Sequence, residues 1–308
     1  MNKDVKVAII GLTGKSIFMN VDEFHKHGET IIANSVHTEP GGKGYNQAAC
    51  LLKLGAHVAY LTTVGVDDYA TTCYDYLNQA NVSLYFKQIS EESTAIATIL
   101  TNKHGDNQVT VYHGASTKLN IKHLDEFKSA IINSDILLLT LELPLEIIEE
   151  ALKVAKDNNV FTILNPAPYN PKFSRYNLCD VVIPNESEAR ELFNLHKTNN
   201  LVEEVKNISK SNYFYNNFKN VIITLGSDGC LFVNKDETIK FNALYVNTVD
   251  TTGAGDVFNA SFAYFYGIIN NYIKAIEYAN IAAAISTTKR YVLNSLPSIE
   301  EILSYKKI

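Results

Sequence analysis

Short apolar runs alternate with segments of helical periodicity along this chain of 308 residues. The runs are rich in Val, Ile and Leu and are bounded by Gly, Pro or Asn, which predicts buried strands. The predicted strands are Val5–Gly11, Val58–Gly65, Asp135–Leu141, Val160–Asn165, Asp180–Pro184 and Val221–Gly226. The predicted helices between them are Tyr45–Leu54, Tyr69–Gln79, Ile121–Asn133, Leu145–Asp157, Glu186–Leu195 and Leu201–Phe218. Strands that are apolar on both faces and alternate with helices predict an α/β fold, in which helices cover both faces of a mainly parallel sheet.

Two stretches, residues 16–40 and residues 94–115, depart from this alternation. Neither has a helical pattern, but polar and apolar residues alternate in Thr94–Leu100 and Val109–Tyr112, which is typical of strands with one buried face. The residues between those two runs have the composition of a hairpin turn. We expect these pieces to form a small sheet, a lid or a dimerisation surface, on a single domain that comprises residues 1–308.

Composition excludes several classes of function. The chain has 27 Lys and Arg residues and 33 Asp and Glu residues, which gives a net charge of −6. This charge disfavours a nucleic-acid partner, because phosphate binding needs a basic face. No apolar run reaches the roughly 18–20 residues that cross a bilayer, so no membrane association is predicted. The four cysteines are far apart and form no C-x-x-C pair. They indicate free thiols in a reducing compartment, and we expect a soluble cytoplasmic protein.

The strongest local signal for chemistry is Asp250-Thr-Thr-Gly-Ala-Gly-Asp256, which is followed by residues of helical composition. A glycine-rich turn that enters a helix points free backbone N–H groups outward and forms an anion site. Asp256 falls in the first helical turn, beside that anion. A carboxylate is costly there unless it accepts a proton from a hydroxyl that attacks a phosphate. The alternative is an aspartate that only stabilises the helix N-terminus.

A second glycine-rich turn, Pro40-Gly-Gly-Lys-Gly-Tyr-Asn46, also opens a predicted helix. Its glycines allow the backbone to approach a ligand closely, and Lys43 and Asn46 offer polar side chains. Taken alone, such a loop is as typical of a structural turn as of a binding site.

Together the two turns resemble the two signatures of the ribokinase-like (PfkB) carbohydrate kinase family. Three further segments match the family in the same order: Leu164-Asn-Pro-Ala-Pro168, Pro184-Asn-Glu-Ser-Glu-Ala189 and Ile223-Thr-Leu-Gly-Ser-Asp-Gly229. The resemblance extends from the first strand to Pro297. It implies a ribokinase-like three-layer αβα sandwich with a small β-sheet lid. It also implies an ATP-dependent kinase that phosphorylates a primary hydroxyl of a sugar or sugar-like small molecule.

The resemblance further implies roles for individual residues in phosphoryl transfer. Asp256 corresponds to the catalytic base. The anion hole, which stabilises the transferred phosphoryl group, corresponds to Gly253, Ala254 and Gly255. Asn185 and Glu188 correspond to the Asn-x-x-Glu pattern that organises Mg²⁺ around the phosphates of ATP. The remaining nucleotide-binding positions are Thr224, Gly226, Ser227, Gly229 and Asn280.

For the acceptor, the resemblance implies sugar contacts at Gly41, Gly42, Lys43, Asn46 and Glu142. It also implies a site for a monovalent cation, potassium, behind the anion hole. Its positions, which act mostly through backbone carbonyls, are Asp250, Thr252, Ser286, Lys289, Tyr291 and Ser295. The family has a glycine next to the position of Tyr291, so this loop is altered here. Finally, the resemblance implies a homodimer that forms through the lid sheet.

One part of the family pattern is missing. Asn-x-Asp usually follows the first strand, and its aspartate grips two adjacent sugar hydroxyls. Here Gly14 and Ser16 occupy these acceptor-binding positions. A serine cannot replace a carboxylate that accepts hydrogen bonds from both hydroxyls of a diol, so we predict that ribose is not the preferred substrate. A nucleoside kinase of the same fold remains an alternative, as does a catalytically inactive regulator that binds a sugar or nucleotide.

Two other phosphate-binding motifs are incomplete. Gly14-Lys-Ser16 imitates the end of a P-loop, but that motif requires a glycine five residues earlier, where the chain has Ile9. Gly253-Ala-Gly255 resembles a dinucleotide fingerprint, but Phe258 stands where its third glycine would be. Neither a P-loop enzyme nor a nicotinamide-dependent enzyme is predicted.

Overall fold

The computed structural model describes residues 4–104, 107–195 and 200–305. The strands in these ranges are β1 Lys6–Ile10, β2 Gly14–Asn20, β3 Ser35–Gly41, β4 His57–Gly65, β5 Val82–Ile89, β6 Ala95–Thr101, β7 Asn107–Tyr112, β8 Ile136–Thr140, β9 Phe161–Asn165, β10 Val181–Val182, β11 Asn220–Thr224, β12 Cys230–Asn234 and β13 Thr238–Phe241. The helices are α1 Lys43–Lys53, α2 Asp68–Leu77, α3 Ile121–Ile132, α4 Leu145–Asp157, α5 Glu186–Leu192, α6 Leu201–Ile208, α7 Asn212–Asn217, α8 Ala254–Ile269, α9 Tyr272–Ser286 and α10 Ile299–Ser304.

The large sheet has the strand order β13-β12-β11-β10-β9-β8-β1-β4-β5. Neighbouring strands from β11 to β5 run parallel, whereas β12 is antiparallel to both β11 and β13. The carboxyl ends of the parallel strands therefore meet at one edge, where ligands bind in folds of this kind. The predicted α/β fold with a mainly parallel sheet is confirmed.

Helices cover both faces of the large sheet, because successive side chains of a strand point to opposite faces. Val7 and Ile9 of β1 belong to a core that includes buried residues of α1, α8 and α9. Ala8 and Ile10 of the same strand belong to a second core, which includes residues of α3 and α4. The predicted three-layer arrangement follows from these two cores.

The small sheet has the order β3-β2-β6-β7 and lies outside the large one. β2 pairs with β6 in parallel, and the two outer pairs are antiparallel. Every residue of β7 is exposed, including Val109 and Val111. Phe18 and Ile99, on the two inner strands, are instead buried in the core that includes α1, α8 and α9. Residues 105 and 106 of the predicted hairpin turn lie outside the described residues.

Several sequence expectations differ from the structure. The single helix predicted for Leu201–Phe218 is wrong: α6 ends at Ile208, and Ser211 caps the separate helix α7 by accepting a hydrogen bond from the Phe214 N–H (3.2 Å). Strand β5 is not predicted, because it lies at the sheet edge and its residues are only partly buried. Within the described part of the chain, no helix is long and apolar enough to cross a membrane.

Candidate active site

The predicted ligand residues collect at the carboxyl edge of the large sheet. Glu142 follows β8, Asn185 follows β10, and Thr224 is the last residue of β11. Asn185 and Thr224 form an isolated parallel bridge, and the Thr224 N–H donates to the Pro184 carbonyl (3.0 Å). The polar residues that the sequence places far apart thus line one side of the fold.

Helix α8 begins at this edge with the predicted anion hole. Gly253 precedes the helix with a φ of 77°, and a Cβ there would lie 2.7 Å from Val292 Cγ1, so only glycine fits. Among the described residues, the N–H groups of Gly253 and Gly255 have no acceptor, whereas the Ala254 N–H donates to the Thr251 carbonyl (3.2 Å). Two of the three predicted amides are therefore available to an anion beside the positive end of the helix.

Asp256 lies in the first turn of α8 and is only 6% exposed. Its Oδ2 accepts a hydrogen bond from Asn46 Nδ2 (2.8 Å), and its Oδ1 accepts one from Gln47 Nε2 (3.3 Å). Burial raises the pKa of Asp256, although the charge of Lys43 and the two amide hydrogen bonds oppose this effect. A buried carboxylate with a raised pKa is a better proton acceptor than a solvated one.

Lys43 places one positive charge near Asp256 and two other carboxylates. Burial disfavours its ammonium group, but the carboxylates of Asp256, Glu142 and Glu188 outweigh burial and raise the pKa of Lys43. Its backbone N–H, at the start of α1, also donates to the Glu142 carboxylate. Lys43 therefore stays charged and interacts electrostatically with three carboxylates that come from different parts of the chain.

Glu142 has a pKa that is raised into the neutral range. Burial and the nearby charge of Asp256 raise its pKa to about 7, although Lys43 and a hydrogen bond from Thr140 act in the opposite direction. At neutral pH a fraction of the protein therefore carries a protonated Glu142, which can donate as well as accept a hydrogen bond.

We expect Glu142→Gln to stabilise the unliganded protein at pH 8. The folded protein holds a proton on Glu142 up to a pKa of about 7, whereas the unfolded chain releases it near the usual value of 4.5. Stability from this group is therefore lost as pH rises from 4.5 to 7, by up to about 3 kcal/mol. The free energy of unfolding, measured in urea at pH 4.5 and pH 8, should fall less steeply with pH in the variant. The exposed Glu237→Gln serves as control, and an equal pH dependence in variant and wild type would contradict the expectation.

The predicted acceptor residues lie together where the lid meets α1. A Cβ at Gly41 would lie 2.1 Å from Ser16 Oγ and 3.9 Å from Asn46 Oδ1, so these polar atoms surround the Gly41 Cα. Gly42 has a φ of 99° and packs against the Leu12 carbonyl, while Gly14 packs against Ala95. Asn46 Oδ1 is buried without a partner among the described residues, which fits a hydroxyl donor from a ligand.

Most of the predicted nucleotide residues lie further along the same edge of the sheet, after strands β10 and β11. Asn185 caps α5 through a reciprocal pair of hydrogen bonds with Glu188, of 2.8 and 2.9 Å. These bonds leave Glu188 Oε1 available to a metal or water, and Asn185 Nδ2 available to donate to a water or a phosphate oxygen. Thr224 leads into a turn that carries Ser227 between Gly226 and Gly229, both of which have positive φ. On α9, Asn280 donates to the Asn242 carbonyl (2.6 Å) and so fixes the segment after β13.

The loops behind the anion hole contain the predicted cation positions. Asp250 accepts hydrogen bonds from the N–H groups of Thr252 and Tyr291, both at 2.9 Å. Ser286 and Ser295 donate to nearby carbonyls, and the Lys289 ammonium pairs with Glu301 (3.2 Å) on the surface. Tyr291 has a φ of 67°, a conformation that favours glycine, so the altered residue keeps a glycine-like backbone. Potassium binding stays a prediction.

A model of the pfkB family of carbohydrate kinases matches residues 4–299, which is nearly the whole chain. The chain belongs to this family. The resemblance noted in the sequence is thereby confirmed, and with it the activity of an ATP-dependent sugar kinase.

Curated relatives and solved structures agree with the family match. The chain is 33% identical to a ribokinase of Staphylococcus aureus (strain COL), over 96% of this chain and 98% of the relative. It is 30% identical to a deoxyribokinase of Salmonella typhi, over 97% and 98%. The crystal structure of a Thermotoga maritima ribokinase superimposes with a TM-score of 0.86 at 31% identity, covering 99% of this chain and all of the other. An Arabidopsis thaliana ribokinase complexed with ribose and ATP gives 0.84 at 25%, with 99% and 100% covered.

Two residues of this candidate site make interactions that the sequence does not predict. Gln47 is the second donor to Asp256, and only its position directly after Asn46 in the family signature could have indicated it. Lys43 was predicted as a sugar contact, but its interaction with three carboxylates depends on elements up to 213 residues away and has no signal in the local sequence.

Proposed function

We propose that this kinase uses Asp256 as general base to transfer the γ-phosphoryl group of ATP to a primary hydroxyl of a small sugar. The observation that carries the proposal is the pairing of one buried carboxylate with free N–H groups at the start of α8. Burial raises the pKa of Asp256 and so makes it more basic, the side chains of Asn46 and Gln47 orient it by hydrogen bonds, and it stands within one turn of Gly253 and Gly255.

In the proposed step, Asp256 accepts the proton of the acceptor hydroxyl while the oxygen of that hydroxyl attacks the γ-phosphorus. The new bond joins the acceptor oxygen to phosphorus. The bond that breaks joins that phosphorus to the β–γ bridging oxygen, so ADP leaves with the bonding electrons. The N–H groups of Gly253 and Gly255 stabilise the charge on the transferred group, which makes them the proposed anion hole.

The charge of the site supports a requirement for Mg²⁺. Three carboxylates face one ammonium before any phosphate enters. Among the described residues, no group of three or more His, Cys, Asp or Glu side chains is arranged to hold a metal. Such a site suits Mg²⁺, which is usually bound by one or two carboxylates together with substrate phosphates and water. Glu188, with Asn185 beside it, would supply the protein contact, and Mg²⁺ would neutralise phosphate charge when bound.

We further propose that the acceptor is a pentose or related sugar without a requirement for two adjacent hydroxyls. Gly14 offers no polar side chain and Ser16 offers one hydroxyl, so neither replaces a diol-binding carboxylate. We expect 2-deoxyribose to be phosphorylated with a kcat/KM at least equal to that of ribose. ATP consumption should be measured across pentoses, hexoses, sugar phosphates and nucleosides, with and without potassium. A clear preference for ribose would contradict this proposal.

The variant Ser16→Asp provides the matched test of that specificity. Its carboxylate can accept hydrogen bonds from both hydroxyls of a diol, and hydrogen bonds to charged groups are worth about 1.5–3 kcal/mol. The KM for ribose should therefore fall by about tenfold or more, while that for 2-deoxyribose changes less. An equal change in KM for both sugars would indicate that the variant alters the site in general and does not recognise the diol.

Two further properties belong to the proposal. The lid supports a homodimer, because its exposed residues include Val36 and Val109, which are 65% and 53% exposed. A cytoplasmic location is supported by the four cysteines, all of which are buried as free thiols.

A further inference from the structure

The lid holds a loop of the main body through a buried carboxylate. Glu39, on lid strand β3, is 6% exposed. Its Oε1 accepts a hydrogen bond from the backbone N–H of Val292 (2.8 Å), although the two residues are 253 positions apart in sequence. Its Oε2 lies 3.5 Å from His37 Nε2 on the same strand. Burial raises the pKa of Glu39, and the Val292 hydrogen bond and His37 oppose this effect.

Aromatic packing joins the same two parts of the protein. The His37 ring stacks on the ring of Tyr291, with centroids 3.8 Å apart and planes within 19°. Phe18, on strand β2, meets Tyr291 edge-on at 5.4 Å. The left-handed backbone of Tyr291 is costly for a residue with a side chain and persists only where its surroundings impose it. Two lid strands thus fix residues 291 and 292 by ring contacts and one hydrogen bond.

Residues 291 and 292 in turn support the anion hole. The side chain of Val292 occupies the space beside Gly253, where a Cβ would come within 2.7 and 2.9 Å of its two methyl groups. Asp250 binds the N–H of Tyr291 with one oxygen and that of Thr252, the residue before Gly253, with the other. A displacement of Val292 would therefore change the position of the Gly253 backbone.

The strand that carries Glu39 also reaches the acceptor. Gly41, two residues further along β3, lies at the proposed acceptor site, and Glu39 stands opposite Ser16 in the register of β2 and β3. One strand therefore contacts both the acceptor position and the support of the anion hole. A displacement of Gly41 that also moves Glu39 would therefore alter the hydrogen bond to the Val292 N–H.

We propose that Glu39 is a positioning residue that links acceptor binding under the lid to the geometry of the anion hole. It acts through the Val292 N–H and the contact of Val292 with Gly253, and it touches neither the acceptor nor ATP. This inference rests on the proposed function of Gly253. Its consequence is that Glu39 affects turnover more than it affects acceptor binding.

The test compares Glu39→Ala, Glu39→Asp and Glu39→Gln with the wild type. Alanine removes the carboxylate that accepts the hydrogen bond from the Val292 N–H, and aspartate keeps the charge but is one methylene too short. We expect both to lower kcat by about tenfold to a hundredfold, with little change in the dissociation constant of the sugar. Glutamine can still accept the hydrogen bond through its amide oxygen, so it should restore most of kcat. Glu23→Ala, an exposed lid carboxylate paired with Lys103, is the control and should behave as wild type.

A double-mutant cycle with Val292→Ala tests the path itself. If Glu39 acts through Val292, the kcat loss of Glu39→Asp with Val292→Ala should be smaller than the product of the two single losses. Independent, multiplicative losses would overturn the inference. A wild-type kcat in Glu39→Asp would also overturn the inference. The same holds if the aspartate and glutamine variants lose kcat equally and in proportion to their loss of folded protein. Thermal unfolding measures that fraction, and if the alanine variant does not fold, the aspartate and glutamine pair decides.

Failure of the inference is distinguishable from failure of the proposed function. If wild-type protein consumes no ATP in response to any acceptor, the proposed function is wrong. If it does so and Glu39→Asp is equally active, only the role of Glu39 is wrong.

Discussion

Asp256→Asn is expected to lower kcat by about 10²- to 10⁴-fold, since removal of a positioned general base costs that much in other enzymes. The asparagine keeps the size of the side chain and can still accept a hydrogen bond from Asn46 or Gln47, so the fold should persist. Nucleotide binding should persist as well, because the N–H groups of Gly253 and Gly255 are unchanged. Steady-state kinetics and calorimetric titration with ATP measure the two effects separately.

The control for this variant is Asp157→Asn, which changes an exposed aspartate at the end of α4 in the same chemical way. It should leave kcat and nucleotide affinity unaltered. Normal turnover in Asp256→Asn would remove the general base from the proposed mechanism. A loss of both turnover and folding would instead indicate that the carboxylate is mainly structural.

Lys43→Met should shift the acid limb of the pH profile of kcat/KM to higher pH. Lys43 lowers the pKa of Asp256, Glu142 and Glu188, so its removal raises all three. Removing an opposite charge at close range changes a carboxyl pKa by about one to three units, so the limb should move by a similar amount. Activity at pH 7 should fall strongly, because more of the enzyme then has a protonated base.

The exposed Lys122→Met, on α3, is the matched control and should reproduce the wild-type profile. The informative outcome is the position of the limb, since a lost sugar contact alone would raise KM without moving it. An unshifted limb in Lys43→Met would mean that Lys43 serves the acceptor and not the carboxylates. Recovery of activity at pH 9 would support the electrostatic role.

The fold was predictable where buried strands leave a continuous apolar run. Residues of β1 and β8 are buried on both faces, and the sequence shows this directly. The pattern fails for β5, because an edge strand buries only part of its side chains. It also fails between α6 and α7, where Ser209 ends the first helix and Ser211 caps the second without breaking the apolar spacing of the sequence.

The site was predictable only as far as it lies in short motifs. Gly253 and Asp256 are only three residues apart in sequence, so the proposed anion hole and the carboxylate beside it could be placed together on one helix end. The partners of that carboxylate come from α1, and neither periodicity nor charge identifies a contact between distant elements. Glu39 illustrates the limit, since a glutamate in an alternating strand gives no sign that its carboxylate is buried against residue 292.

The two hydrogen bonds that join Asn46 to Asp256 and Val292 to Glu39 span 210 and 253 residues. At synthesis rates of about 5–20 residues per second, the ribosome needs roughly 10–40 seconds to add the aspartate after the asparagine. A nascent chain therefore contains the glycine-rich turn before α1 long before its proposed general base has been synthesised. Since Glu39 bonds to the Val292 N–H, the arrangement that depends on both contacts cannot be complete before residue 292 has been added.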